Sequence, residues 1–206
     1  MIEYSEDTVE GSIRVLEKNL SIREGFLESL KREDDWSFII KVHALLEAAI
    51  SHLLCEALGH KQLSEVFSFI ELSNKRSGKI AFVKALSLLD KPDRRFIISL
   101  SELRNQLVHD ISNVDLDLKK YVDSLSPEKF KSFVKSMDSF SYDGWELKRA
   151  GGKLTIEEFF RSDPKTAIWH SAMLTTAIIH VQKQTAIYKR RIEMYEELFG
   201  PSTKKK

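Results

Sequence analysis

The chain has 206 residues, 42% apolar and 31% charged, with a formal net charge of +1. That size and balance fit one globular domain with a sizeable core; they exclude a disordered chain and a protein drawn to nucleic acid by its overall field. The single cysteine, Cys55, excludes an internal disulfide and a cysteine-based zinc site, and within Leu53-Leu54-Cys55 it reads as a buried, inert thiol.

Glycine and proline are scarce, and the segments between them have helical period. The acidic opening Met1–Asp7 does not read as a secretory signal. A first helix is expected from about Glu6 to Leu30, with Ile13, Leu16, Leu20, Phe26, Leu27 and Leu30 as its apolar stripe. Asp34 and Asp35 offer an N-cap for a second helix ending near Gly59. Its apolar stretch Trp36–Leu58 is broken by Lys41, His43, Glu47, His52 and Glu56, the pattern of a bundle's central helix and not of a membrane span. A short helix over Leu63–Ile70 and a loop over Ser73–Gly78 follow. Ile80 to Leu89 marks another helix, and Asp90-Lys91-Pro92 stops it and starts the next. That next helix carries Phe96, Leu100, Leu103, Leu107 and Ile111 on one stripe.

Beyond Ser112, short helices are expected over Val114–Leu125 and Pro127–Met137, then a loop-rich stretch with a small hairpin around Trp145–Ile156. Asp163-Pro164 opens a final helix that Gly200-Pro201 ends near Phe199. At 1.5 Å per residue it spans roughly 54 Å, so it kinks or lies along a partner. The fold class is therefore all-α: a helical bundle core over 1–124, a helical and loop insertion over 125–163, and a long C-terminal helix over 164–201, in one domain. A cytoplasmic location is the expectation.

The segment Arg104-Asn105-Gln106-Leu107-Val108-His109 carries the clearest chemistry. Arginine can hold a phosphate through two parallel hydrogen bonds, and histidine can move protons near neutral pH. Asn105 and His109 are four residues apart, so they share one face, away from the apolar stripe. Arg104 lies on the flank, roughly 140° from His109 on an ideal helix. The two do not converge by backbone alone; a two-fold dimer would bring two such faces into one groove. The residues also allow a plainer reading, a solvated face with Glu102 and Asp110 as local ion-pair partners.

Arg104-Asn105 and His109 match the signature of the HEPN superfamily, small helical domains in which an arginine, often followed by a polar residue, precedes a histidine by a few positions. The long helix around Leu45-Leu46-Glu47 and the segment Ser77-Gly78-Lys79-Ile80 to Leu89 resemble the branch that includes the mannitol operon repressor. The resemblance covers about residues 35–113. It implies a metal-independent endoribonuclease that cleaves RNA by 2′-hydroxyl attack at a composite dimer site, often as a toxin or in phage defence. His109 would be general acid/base, Arg104 the phosphate clamp and Asn105 the positioning residue. The alternative it implies is a non-catalytic transcriptional regulator or interaction module. Implied partners are RNA, a second copy of the chain, and an antitoxin or regulatory protein.

Glu47, set among Leu45, Leu46, Ala48 and Ala49, is expected to be partly buried and paired, with Arg104 as one candidate partner. His43 and Glu47 have a spacing that metal sites use, but no third ligand is evident, so no metal is expected. No glycine-rich phosphate loop, His-Glu-x-x-His or serine elbow occurs, and no cofactor is expected. Between Asn74 and Arg95, Lys75, Arg76, Lys79, Lys84, Lys91, Arg94 and Arg95 outnumber Asp90 and Asp93. Of these, Lys75, Arg76, Lys79, Arg94 and Arg95 are the candidate nucleic-acid contacts.

Overall fold

The computed structural model describes residues 9–109, 111–140, 147–149 and 152–200. The opening helix expected to reach Leu30 is instead two: α1 (Val9–Leu20) and the single turn α2 (Phe26–Ser29), followed by a 3-10 turn over Leu30–Arg32. The break has a local cause. Glu17, only 1% exposed, accepts hydrogen bonds from the amides of Gly25 (2.7 Å) and Leu27 (2.8 Å), folding the chain back across its own helix end. Gly25 has φ +76°, a left-handed conformation that glycine adopts at little cost.

α3 (Asp35–Leu58) is the bundle's core helix. Its cap is the one the sequence announces: the Asp34 carboxylate accepts from the Ser37 amide at 2.8 Å, and the Ser37 hydroxyl and then this amide hold the Asp34 pKa below its ordinary value. Gly59, at φ +76°, ends it, with the His60 amide bonded back to Cys55 O at 3.1 Å and that of Gly59 to Glu56 O at 3.2 Å. By length and composition this helix is apolar enough to cross a membrane, yet 56% of its apolar window is buried inside the bundle. Phe38, Ile39, Val42, Leu46, Ile50, Leu53 and Leu54 are all fully buried, each worth about 1.5–3 kcal/mol relative to exposure.

The short helices α4 (Leu63–Ser68) and α5 (Lys79–Ala85) then flank the axis. α5 stops four residues before the expected helix does, because Ser87 turns left-handed at φ +53°. Next comes α6 (Lys91–Val108), with Pro92 in its first turn and Phe96, Ile97, Leu100, Leu103 and Leu107 buried. It ends at His109, and Ile111 belongs to a separate 3-10 turn rather than to its stripe.

The region after 112 resolves into α7 (Leu118–Asp123), α8 (Pro127–Met137), the strands β1 (Leu147–Arg149) and β2 (Gly152–Leu154), and α9 (Ile156–Ser162). The strands pair antiparallel, Leu147 opposite Leu154 and Arg149 opposite Gly152; Trp145, placed in the hairpin by the sequence, lies outside the described residues. α9 was not expected, although its start is written locally as a capping box between Thr155 and Glu158.

α10 (Pro164–Phe199) closes the bundle as one 36-residue helix. It runs parallel to α3: Lys165 pairs with Asp35 at 2.6 Å at one end, and Arg190 pairs with Glu56 at 2.7 Å near the other. Arg190 also donates to the Glu56 carbonyl at 2.9 Å, a cation placed at the negative end of the α3 dipole. α6 runs against both, with His43 of α3 beside Ser101 and Thr175 of α10 bonded to Asp93. The architecture is thus an all-α bundle with a minimal hairpin appended.

Candidate functional site

α6 supplies Arg104 and Asn105 of the Arg-Asn-His segment, and His109 is the residue that ends it. Asn105 and His109 lie on the face away from the core, as helical period demands. His109 is the C-cap of α6; its amide bonds to Asn105 O at 3.3 Å and its side chain is exposed. The Asn113 side chain donates to Gln106 O at 3.0 Å and so satisfies one of the carbonyls left open at the helix end.

Arg104 is half-buried and turned toward α3. Its Nη1 donates to Asn105 Oδ1 at 3.1 Å, and its charge is near enough to His43 to help hold that imidazole below its ordinary pKa. Within one copy of the chain, then, Arg104 and Asn105 are joined, while His109 stands apart on the solvent side.

Behind Arg104 lies a buried polar network. His43 Nε2 meets Ser101 Oγ at 3.1 Å, and Ser101 Oγ donates to Ile97 O at 2.8 Å. With the hydroxyl proton committed to Ile97, the imidazole must donate through Nε2–H, leaving Nδ1 facing Glu47 Oε2 at 3.9 Å. Burial lowers the His43 pKa, opposed by Glu47 and reinforced by Arg104 and Lys79.

Glu47 is partly buried and paired, as expected, but its partner is Lys79 and not Arg104: Lys79 Nζ donates to Glu47 Oε1 at 2.8 Å. This corrects the reading of Lys79 as a nucleic-acid contact. Its side chain is 2% exposed, drawn inward because the Glu47 carboxylate at the foot of α5 compensates a charge that would otherwise have to stay in water. Among the described residues no three His, Cys, Asp or Glu side chains converge as metal ligands.

The other candidate cations divide cleanly. Lys75, Arg94 and Arg95 line one groove of about 510 Å³ between α5 and α6, whereas Arg76 is exposed and does not line it. Lys84 and Lys91 complete the lining, so five cations face one carboxylate, Glu102, over an apolar floor of Ile80 and Ile98. Arg95 Nε is buried there without a hydrogen-bond partner, while Arg94 donates to Leu89 O. The sequence analysis counts Lys84 and Lys91 in the basic segment without placing them at the site; Lys91 shares a face of α6 with Arg94 and Arg95 at three- and four-residue steps, whereas Lys84 is on α5 and only the packing of α5 beside α6 brings it to the groove. Along α6, Lys91, Arg95, Ile98, Glu102, Asn105 and His109 recur at three- and four-residue steps, so the groove and the Asn105–His109 face form one stripe. It spans roughly 27 Å.

Neither a family model, a curated protein nor a solved structure matches this chain, so the site is judged by its own geometry.

Proposed function

We propose that the protein is a HEPN-type, metal-independent endoribonuclease, acting as a toxin or a defence or stress effector. The observation that carries the reading is the α6 stripe: a groove of five cations leads along one helix face to Asn105 and then to an exposed His109. Groove cations can track the phosphates of a single RNA strand. At the end of that track His109 takes the proton of a ribose 2′-hydroxyl as its oxygen attacks the adjacent phosphorus. The P–O5′ bond breaks, the 5′-oxygen receives a proton, and the products are a cyclic phosphate and a 5′-hydroxyl. Arg104 neutralises charge on the phosphoryl oxygens and Asn105, bonded to it, orients the guanidinium. Because Arg104 and His109 diverge on one helix, the site is completed by a second copy whose α6 face closes over the first.

One observation favours a second reading, a non-catalytic HEPN-like regulator resembling the mannitol operon repressor. Arg104 is engaged by Asn105 and turned toward His43, away from His109. On that reading the groove binds nucleic acid and nothing is cut.

Incubation of labelled RNA with the protein in EDTA separates the two. Cleavage leaving cyclic phosphate ends, lost in His109→Ala and Arg104→Ala, supports the nuclease. Identical RNA patterns for wild type and His109→Ala overturn it, and groove-dependent binding without cleavage supports the regulator.

A further inference from the structure

The second half of α10 carries an apolar stripe that the bundle does not use. Burial of α10 against the core ends at Ile179, and the helix continues to Phe199. Beyond that point Val181, Thr185, Tyr188, Ile192, Tyr195 and Phe199 follow one another at alternating steps of four and three residues. This is the a/d pattern of a coiled coil, with Thr185, Ile192 and Phe199 at a and Val181, Tyr188 and Tyr195 at d. Upstream, Leu174 and Ile178 continue the same register into the body of the bundle.

The stripe faces solvent. Val181 is 59% exposed, Tyr188 65%, Ile192 40%, Tyr195 56% and Phe199 72%, while Thr185 is half-buried at the edge of a groove that Leu58, Leu86 and Leu88 also line. The side of α10 that holds the body is a different one: Arg190, bonded to Glu56, lies two residues from Tyr188 and from Ile192, roughly 160–200° round the helix. Six a/d positions in register on the free side of a protruding helix are a seam, since scattered exposed apolar residues need no such order.

We infer that α10 joins two copies of this chain as a parallel two-stranded coiled coil over residues 181–199. Charge selects the occupant and the direction. In this register Arg191 is at g and Glu196 at the following e, the two positions that face each other across a parallel dimer. Each copy therefore offers both halves of the pair, and two-fold symmetry makes it twice. β-branched Ile192 at a suits a two-stranded, parallel seam. The short length, roughly 27 Å, is tolerable because the helix is already nucleated by its buried half, so association need not supply the cost of starting a helix.

The seam lies at the end of the bundle away from His109, beside the C-terminus of α3, so it is a contact distinct from the α6 closure of the ribonuclease reading, and Tyr188→Cys cross-linking reports the seam alone. Sedimentation of the full chain tests it. A reversible dimer is expected, weakened at least tenfold by Ile192→Asp and by Arg191→Glu, with the helix content of the monomer unchanged because both side chains are at the surface. The exchange Arg191→Glu with Glu196→Arg restores association. Tyr188→Cys is expected to cross-link to itself under mild oxidation, because parallel d positions lie opposite each other; the native Cys55 is buried. A monomer at the highest soluble concentration, a dimer indifferent to Ile192→Asp, or a Tyr188→Cys dimer that does not cross-link overturns the proposal. The first outcome would leave the stripe to a different protein, the second would place the interface elsewhere, and the third would make the seam antiparallel.

Discussion

Lys79 Nζ sits 2.8 Å from Glu47 Oε1, a lysine 2% exposed joined to a carboxylate on the neighbouring core helix. The pair ties α5, one wall of the cationic groove, to α3. It also connects, through Glu47, to His43 and Ser101, and so to the helix that carries Arg104.

Removing one partner of this pair should cost more than removing both. Glu47→Ala strands a buried ammonium and is expected to destabilise the chain by about 3 kcal/mol, the low end for a broken buried pair because the Glu47 side chain is 35% exposed. The double substitution Glu47→Leu with Lys79→Met should recover most of the loss. Urea midpoints of wild type and the two variants check the order; a double variant no more stable than Glu47→Ala would refute the coupling.

Stability should fall on the acid side of neutrality. Burial lowers the pKa values of His43, His170 and His180 below the ordinary histidine value of 6.5. The folded state therefore favours the neutral rings. Their contribution is complete above pH 6.5 and is lost as the pH falls from there through the lowered folded-state values. Unfolding midpoints measured from pH 7.5 to 5 should decline, and the decline should be shallower in His43→Gln and His170→Gln. A profile unchanged by either substitution would show that these rings are not the proton acceptors.

The groove should bind single-stranded RNA through its phosphates. Lys84 and Lys91 line it, are exposed, and lie outside the core, so Lys84→Ala with Lys91→Ala should leave folding intact. Affinity should fall evenly across RNA sequences, and the salt dependence of log K should flatten by about 1.4, the share of two single-strand phosphate contacts. Lys79→Met provides the contrast, since a lysine buried against Glu47 contributes no counterion release of its own. Equal salt slopes in wild type and the double variant would remove RNA from the groove.

Much of this architecture was legible along the chain. The Asp34 cap, Gly59 stop, Pro92 start and Asp163-Pro164 start act within a turn of themselves, and each sets a helix boundary as read. The outward phase of Asn105 and His109 follows from counting residues along α6. The break after Leu20 was not legible, because it depends on a buried Glu17 reaching the amides of Gly25 and Leu27. The partner of Glu47 was not legible either: Lys79 lies 32 positions away, and only the packing of α5 on α3 brings it closer than Arg104.

By itself, then, the sequence determined the caps that start α3, α6 and α10 and the faces those helices present, since propensity, period and capping are interactions over a few neighbouring residues. The tertiary structure decided which charges are withdrawn and which are offered. Burying a lysine is tolerable only where a carboxylate from another helix meets it, and that meeting sends Lys79 inward while Lys75, Lys84, Lys91, Arg94 and Arg95 gather around one groove.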